Sequence, residues 1–138
     1  MSATEITVVA ALVWQEGEIL VCQRKETDVF PGKWEFPGGK IEPGEAAQAA
    51  LERELWEELG IRARIGEQAA RVEHQYPGRA PVHLLFFMVQ EFDGSPENHV
   101  FQQILWVRPE QLPCFDFLEA DRPLISRIAA RELSPPSH

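Results

Sequence analysis

The segment from Glu45 to Leu59 constrains this chain more than any other. Leu51, Leu55 and Leu59 recur at i, i+4 and i+8, one apolar stripe of a helix, and Gly60 follows in the place where a left-handed residue ends helices. At about 100° per residue, Glu54, Glu57 and Glu58 fall within about 100° of arc beside that stripe. The leucines require a sheet to lie on, and the three carboxylates must then share one flank. Each i,i+3 or i,i+4 pair of them costs roughly 0.2–0.5 kcal/mol. The two in the last turn each cost about 0.3–1 kcal/mol more against the helix dipole. Fold stability does not call for that arrangement. A hard divalent cation, Mg²⁺ or Mn²⁺, turns the penalty into binding, because such ions take a few carboxylates and keep waters and phosphates. A solvated acidic face trimmed by Arg53 and Lys40 accounts for the same residues.

The remaining pattern supplies the sheet. Ile6 to Trp14 and Ile19 to Gln23 are β-branched-rich runs separated by Gln15-Glu16-Gly17-Glu18, which predicts a hairpin. Asp28 to Gly32 reads as a loop, Trp34-Glu35-Phe36 as a short extended piece, and Pro37-Gly38-Gly39 as its break. Gly38-Gly39-Lys40-Ile41-Glu42-Pro43-Gly44 reads as a loop that can fold back and aim backbone groups at the helix, or as a plain connection. Ala63 to Glu73 and Val82 to Glu91 predict two longer strands, the second apolar enough for the middle of a sheet. Ile104 to Val107 is another short strand. A last helix is expected near Pro123, with Leu124, Ile125 and Ile128 facing inward. Strands with a helix in the middle and one at the end imply a mixed sheet packed between helices, an α/β (α+β) fold.

The chain has 138 residues, the size of one domain, expected over 1–134 with 135–138 a frayed tail. Its net charge of −9, without a Lys/Arg cluster, repels a polynucleotide backbone but admits a small phosphorylated ligand whose contacts a cation mediates. No apolar run is long enough to span a bilayer, and Met1-Ser2-Ala3-Thr4-Glu5 lacks the character of a signal peptide. Cys22 and Cys114 are expected as free thiols in a reducing compartment, with the cytoplasm the default. His74, His83 and His99 lack metal-ligand spacing. Trp14, Trp34, Trp56 and Trp106 each lie in an expected element and read as core. Oligomeric state is not legible in the sequence.

Gly39, Glu45, Arg53, Glu54, Leu55, Glu57, Glu58, Gly60 and Ile61 fill every position of the pattern Gly-x5-Glu-x7-Arg-Glu-U-x-Glu-Glu-x-Gly-U, where U is a bulky aliphatic residue. A chance match is on the order of 10⁻⁹ per starting position, which decides against the solvated-face reading. The chain thereby resembles the Nudix hydrolases. Trp34 to Lys40 and Gln23-Arg24 are similar to the MutT-like branch. The resemblance implies an α/β/α sandwich with a mixed sheet, and a metal held by Glu54, Glu57, Glu58 and the carbonyl of Gly38. It implies that Arg53 orients these glutamates, that Glu45 fastens the loop, that Arg24 reaches phosphate, and that Phe36 lines the nucleoside pocket with Gly39 and Lys40 beside the substrate. The reaction it implies is Mg²⁺-dependent hydrolysis of a nucleoside triphosphate to monophosphate and pyrophosphate.

Two departures from the branch stand out. Gln103 occupies the place of a distal glutamate, and an amide accepts no proton at neutral pH, so the base falls to Glu54 or to Glu97. Asp121 stands where the MutT branch has a base-reading asparagine, and it is equally placed to cap the last helix. Related CTP pyrophosphohydrolases have similar Asp-x-Pro endings, which sets a cytidine nucleotide such as CTP or 5-methyl-dCTP beside 8-oxo-dGTP. Hydrolysis of another nucleoside diphosphate derivative (ADP-ribose or a dinucleoside polyphosphate) ranks below. A non-catalytic nucleotide-binding module conflicts with the complete glutamate set.

Overall fold

The computed structural model describes residues 5–135. The expected tail therefore lies outside the described residues from 136 on. Nine strands and two helices follow in the order β1 (Ile6–Gln15), β2 (Glu18–Gln23), β3 (Trp34–Glu35), β4 (Gly38–Lys40), α1 (Ala47–Leu59), β5 (Arg62–Arg64), β6 (Gln68–His74), β7 (Val82–Val89), β8 (Glu91–Asp93), β9 (Gln103–Val107) and α2 (Arg122–Ala129). No helix among the described residues is long and apolar enough to cross a membrane.

β1 organises the sheet. It runs parallel to β7 from Ile6 opposite Val82 to Val13 opposite Val89. Its other edge is shared: Val8 to Ala10 pair antiparallel with β4, and the far end turns through Glu16 and Gly17 into β2. Both turn residues have positive φ, 51° and 79°, as a tight two-residue hairpin requires. β2 also pairs with β3 and β9, and β6 closes the opposite edge against β7. The sheet is mixed, as the pattern predicts.

A strand buried on both faces has no polar side to show, and β1 has none. Val9, Ala11 and Val13 pack with Ala50, Leu51, Leu55 and Leu59 of α1. Ala10, Leu12 and Trp14 pack on the opposite face with Leu124, Ile125 and Ile128 of α2. The result is a helix on each face of the sheet.

Several boundaries differ from expectation for local reasons. α1 starts at Ala47 rather than Glu45, because the Glu45 side chain is engaged with the preceding loop and the backbone N–H of Glu42. Gly38 to Lys40, expected as a break and connecting loop, form β4 instead. Absence of a side chain permits this, since a Cβ on Gly38 would land on the carbonyl of Val9. The expected strand Ala63–Glu73 is two strands in different sheets. It breaks at Gly66, whose N–H donates to the Met88 carbonyl at 2.7 Å and whose Cβ would lie 2.8 Å from the same oxygen. Val82–Glu91 likewise divides into β7 and β8, the latter pairing with β5. Trp56, expected in the core, is 50% exposed on α1, with the Arg62 guanidinium 4.5 Å above its ring. Cys22 is buried in β2 and Cys114 is exposed, and both are free.

The leucine stripe is the attachment of α1. Leu55→Ala removes a fully buried side chain at its centre and is expected to lower unfolding free energy by about 2–5 kcal/mol in a urea titration.

Candidate active site

The flank of α1 beside its leucine stripe faces β4. Gly39 allows the close approach: a Cβ there would lie 2.5 Å from Cδ of Glu54. Glu58 accepts the Gly38 N–H at 3.1 Å. Burial first, and then the charges of Glu54 and Glu35, push the Glu58 pKa up to about 9. Burial likewise raises Glu54, against the lowering effect of its bond to Arg53.

Arg53 gathers the acidic groups and the loop around itself. Its Nε and one terminal nitrogen grip both oxygens of Glu45 at 2.9 and 3.0 Å, and its other terminal nitrogen donates to Glu54 at 2.9 Å. The Lys40 carbonyl accepts from it at 3.3 Å. The bond from Arg53, followed by that from the Glu42 N–H, lowers the Glu45 pKa to about 2. The loop from Glu42 to Glu45 is thereby fastened to the middle of α1. Glu57 differs from its neighbours. It is half exposed and turns toward Arg53 at 3.5 Å, so no three acidic, imidazole or thiol groups among the described residues close on a common point.

Beside this flank opens a cavity of about 620 Å³. Arg24, Phe36, Gly38, Gly39, Lys40, Glu58 and Asp121, widely separated in sequence, all line it. Glu54 and Arg53 stand behind the glycines. Arg24 is tied to Glu35 at 3.0 Å and to the Val29 carbonyl at 2.6 Å. Phe36 is buried, edge-on to Phe86 and 5.5 Å from Phe117. Asp121 occupies the position before α2 but does not cap it: its backbone is helical and its side chain makes no capping bond. It is instead 3% exposed. Burial, then the nearby Glu35 charge, raises its pKa well above the ordinary carboxylate range. Gln103 does not line the cavity and donates to Gln23 across β2 and β9 at 2.8 Å. Glu97 does not line it either. Its N–H and that of His99 cap the Leu59 and Glu58 carbonyls at the end of α1.

Sequence reading missed Glu35, Phe30, Tyr76 and Arg79, which also line the cavity. Glu35 carried a signal, being a lone acid between two buried aromatics next to a double glycine. Tyr76 to Arg79 fall between two expected strands and carried no signal, because their placement depends on contacts with residues some 45 positions away in either direction. A more polar depression of about 760 Å³, lined by Glu52, Arg62, Arg64 and Asp93 among others, contains none of the motif residues.

The donor set fits a small divalent cation. Glu54 and Glu58 present hard oxygens on one flank of α1, and the charge of Glu54 works against that of Glu58, an opposition that a cation between them relieves. Glu57 lies on the same flank of α1, half exposed and turned toward Arg53.

Comparison with known proteins agrees with this geometry. The chain matches the family model described as NUDIX domain over residues 4–128. It is 39% identical over 132 residues to a CTP pyrophosphohydrolase of Escherichia coli (strain K12), covering 96% of this chain and 97% of that protein. It is 37% identical over 124 residues to an 8-oxo-dGTP diphosphatase of Haemophilus influenzae, covering 89% and 90%. Among solved structures, the solution structure of the E. coli ORF135 protein has a TM-score of 0.84 at 38% identity, covering 99% of this chain and 96% of that one.

A carboxyl whose pKa rises on folding holds its proton more tightly folded than unfolded. Its contribution is therefore complete below the unfolded value, about 4.5, and is lost as pH climbs toward about 9. Without divalent cations, the protein is expected to lose stability across that window. Glu58→Gln should flatten the loss, as melting temperatures measured in steps of pH with EDTA present will show.

Proposed function

The chain belongs to the Nudix hydrolase family, and from that premise we propose that it is a Mg²⁺-dependent nucleoside triphosphate pyrophosphohydrolase acting on a modified or pyrimidine (d)NTP such as 8-oxo-dGTP, CTP or 5-methyl-dCTP. The observation that carries this reading is the packing of Glu58 on the Gly38 N–H and of Glu54 against Gly39, beside the cavity that Gly38, Gly39 and Glu58 line. We take residues 1–134 as the functional unit. Glu54, Glu57, Glu58 and the Gly38 carbonyl would hold the metal. When bound, a cation of this kind screens the polyphosphate and makes a water molecule more acidic.

The residues of the chain then divide the work. Arg24 and Lys40 line the cavity beside Gly38 and Gly39, where they contact phosphate oxygens. Arg53 holds Glu54 in place and keeps its pKa from rising further. Glu54 accepts a proton from the attacking water. The water oxygen bonds to phosphorus in line with the bridging oxygen, the P–O anhydride bond breaks, and pyrophosphate leaves with that electron pair. Phe36 supplies an apolar wall for the nucleoside, and Asp121 reads the base. Burial disfavours the charged form of Asp121, and in its protonated form the carboxyl presents one donor and one acceptor side by side, which matches an edge where a ring nitrogen adjoins an exocyclic group. The names of the two relatives favour a triphosphate over ADP-ribose or a dinucleoside polyphosphate.

The test is turnover with Mg²⁺ on dGTP, 8-oxo-dGTP, CTP, dCTP, 5-methyl-dCTP, ADP-ribose and diadenosine tetraphosphate, with products separated by ion exchange. Monophosphate and pyrophosphate from one triphosphate are the expected result. Release of AMP from ADP-ribose alone refutes the triphosphate assignment. Glu54→Gln should lower kcat by about 10²–10⁴-fold, with the far-ultraviolet spectrum unchanged. Undiminished turnover in that variant rules out Glu54 as the base.

A further inference from the structure

The carboxyl of Asp121 is buried, does not cap α2, and has no hydrogen-bond partner among the described residues. Its position is therefore set by the backbone that carries it. That backbone is a short 3-10 turn, Glu119–Asp121, in which the Asp121 N–H donates to the Leu118 carbonyl. Upstream, the Leu118 N–H reaches the Trp34 carbonyl at 3.0 Å. The turn itself receives one side-chain hydrogen bond to its backbone among the described residues: the Ala120 N–H donates to Oη of Tyr76 at 3.0 Å.

Tyr76 is the one tyrosine of the chain, and it joins three separate walls of the cavity. Its hydroxyl holds the 119–121 turn. Its ring lies 4.5 Å from that of Phe30, in the loop between β2 and β3, and 4.5 Å from His74 at the end of β6. Phe30 adopts φ of 56°, a conformation unfavourable for a bulky side chain, so contacts of its ring must hold it there. Arg79 lies over the same ring, 5.2 Å from its centre. Asp121, Ala120, Tyr76, Phe30 and Arg79 all line the cavity, whereas Glu54 stands behind Gly39 and bonds to Arg53.

We propose that Tyr76 is a positioning residue that sets base selectivity by fixing Asp121 through the Ala120 N–H. This rests on the reading of Asp121 as the residue that meets the base. A site built to hydrogen-bond one edge rejects others only while its donor and acceptor stay in register. Without the hydroxyl, the ring packing survives and the turn loses its one side-chain anchor. The carboxylates of α1 are untouched, so binding of the correct base suffers and the chemical step does not.

The test compares wild type, Tyr76→Phe, Asp121→Asn and the double variant, with steady-state kinetics on CTP, dCTP, dGTP and 8-oxo-dGTP in Mg²⁺. Tyr76→Phe is expected to raise KM for the preferred triphosphate about tenfold, the loss of one hydrogen bond, with kcat within about twofold. It should narrow the spread of kcat/KM among the four bases, and the double variant should narrow it no more than Asp121→Asn does. An equal fall in kcat on all four, with the spread intact, overturns the proposal and leaves Tyr76 a packing residue. Narrowing by Tyr76→Phe but not by Asp121→Asn also overturns it, since the action is then not through Asp121. If wild type hydrolyses none of the four, the triphosphate reading fails and binding decides separately. With 3-fluorotyrosine incorporated, the single ¹⁹F signal reports Tyr76 alone. A shift on adding CMP that differs from that with dGMP, and is lost in Asp121→Asn, supports the proposal. No shift with either nucleotide refutes it.

Discussion

The burial of one leucine stripe holds an electrostatically unfavourable surface in place. Leu51, Leu55 and Leu59 are fully buried against β1, each stabilising by about 1.5–3 kcal/mol. The like-charge pairs on the neighbouring flank cost roughly 0.2–0.5 kcal/mol apiece and the misplaced helix-end charges about 0.3–1 kcal/mol each. The hydrophobic contribution is the larger, so α1 forms and docks despite its acidic flank. Once docked, the helix cannot rotate to spread its carboxylates into solvent without withdrawing the leucines. Glu54 and Glu58 are left facing β4, where the charge of Glu54 opposes that of Glu58. The reactivity of the site thus follows from a packing constraint that lies outside it.

The two glycines of β4 set how close that confrontation is. A side chain at Gly39 would occupy the space of the Glu54 carboxyl, and one at Gly38 would displace β4 from β1. β4 is consequently a bare backbone surface, offering the Gly38 N–H to Glu58. Arg53 locks the assembly from behind, joining the loop at Glu45 and Lys40 to the helix at Glu54. The strongly lowered Glu45 pKa and the raised Glu58 pKa are opposite responses to one geometry. The first acid is gripped through both oxygens by the guanidinium, and the second faces other acids with only a backbone N–H for relief.

Sequence pattern revealed α1, its stripe, its acidic flank and its Gly60 terminus because each depends on residues within four positions of one another. Gly60 indeed has φ of 68° and donates to the Trp56 carbonyl. The hairpin of β1 and β2 and the three buried residues of α2 were legible for the same reason. What escaped was decided by long-range contacts. Gly66 reads as an ordinary residue in a strand until Met88 lies against it, and Gly38 to Lys40 become a strand only because β1 has a vacant edge there. Trp56 looks like core by composition, but it lies off the leucine stripe and finds Arg62 instead. Tyr76 and Glu35 could not be assigned to the cavity because the loops that bring them to it are fixed by partners far along the chain. Asp121 was legible as a position and not as a state. The choice between cap and cavity wall depends on its backbone angles, which no local pattern encodes.

A chain with net charge −9 that is proposed to take a polyanion needs a local exception to its own field. Burial of the acids in the cavity contributes to one. Arg24, Lys40 and Arg79 line it together with Glu35, Glu58 and Asp121, a balanced set by formal charge. Burial raises the pKa of all three acids, with Glu58 pushed to about 9 and Asp121 displaced well upward. Burial thus weakens the negative side of the set, and Glu35 is in addition bonded to Arg24. A polynucleotide, which must approach over the outer surface, meets the repulsive field. A small phosphorylated ligand of the kind proposed would meet a weaker negative field inside the cavity than over the outer surface, and low-dielectric walls strengthen its contacts with Arg24, Lys40 and Arg79 there.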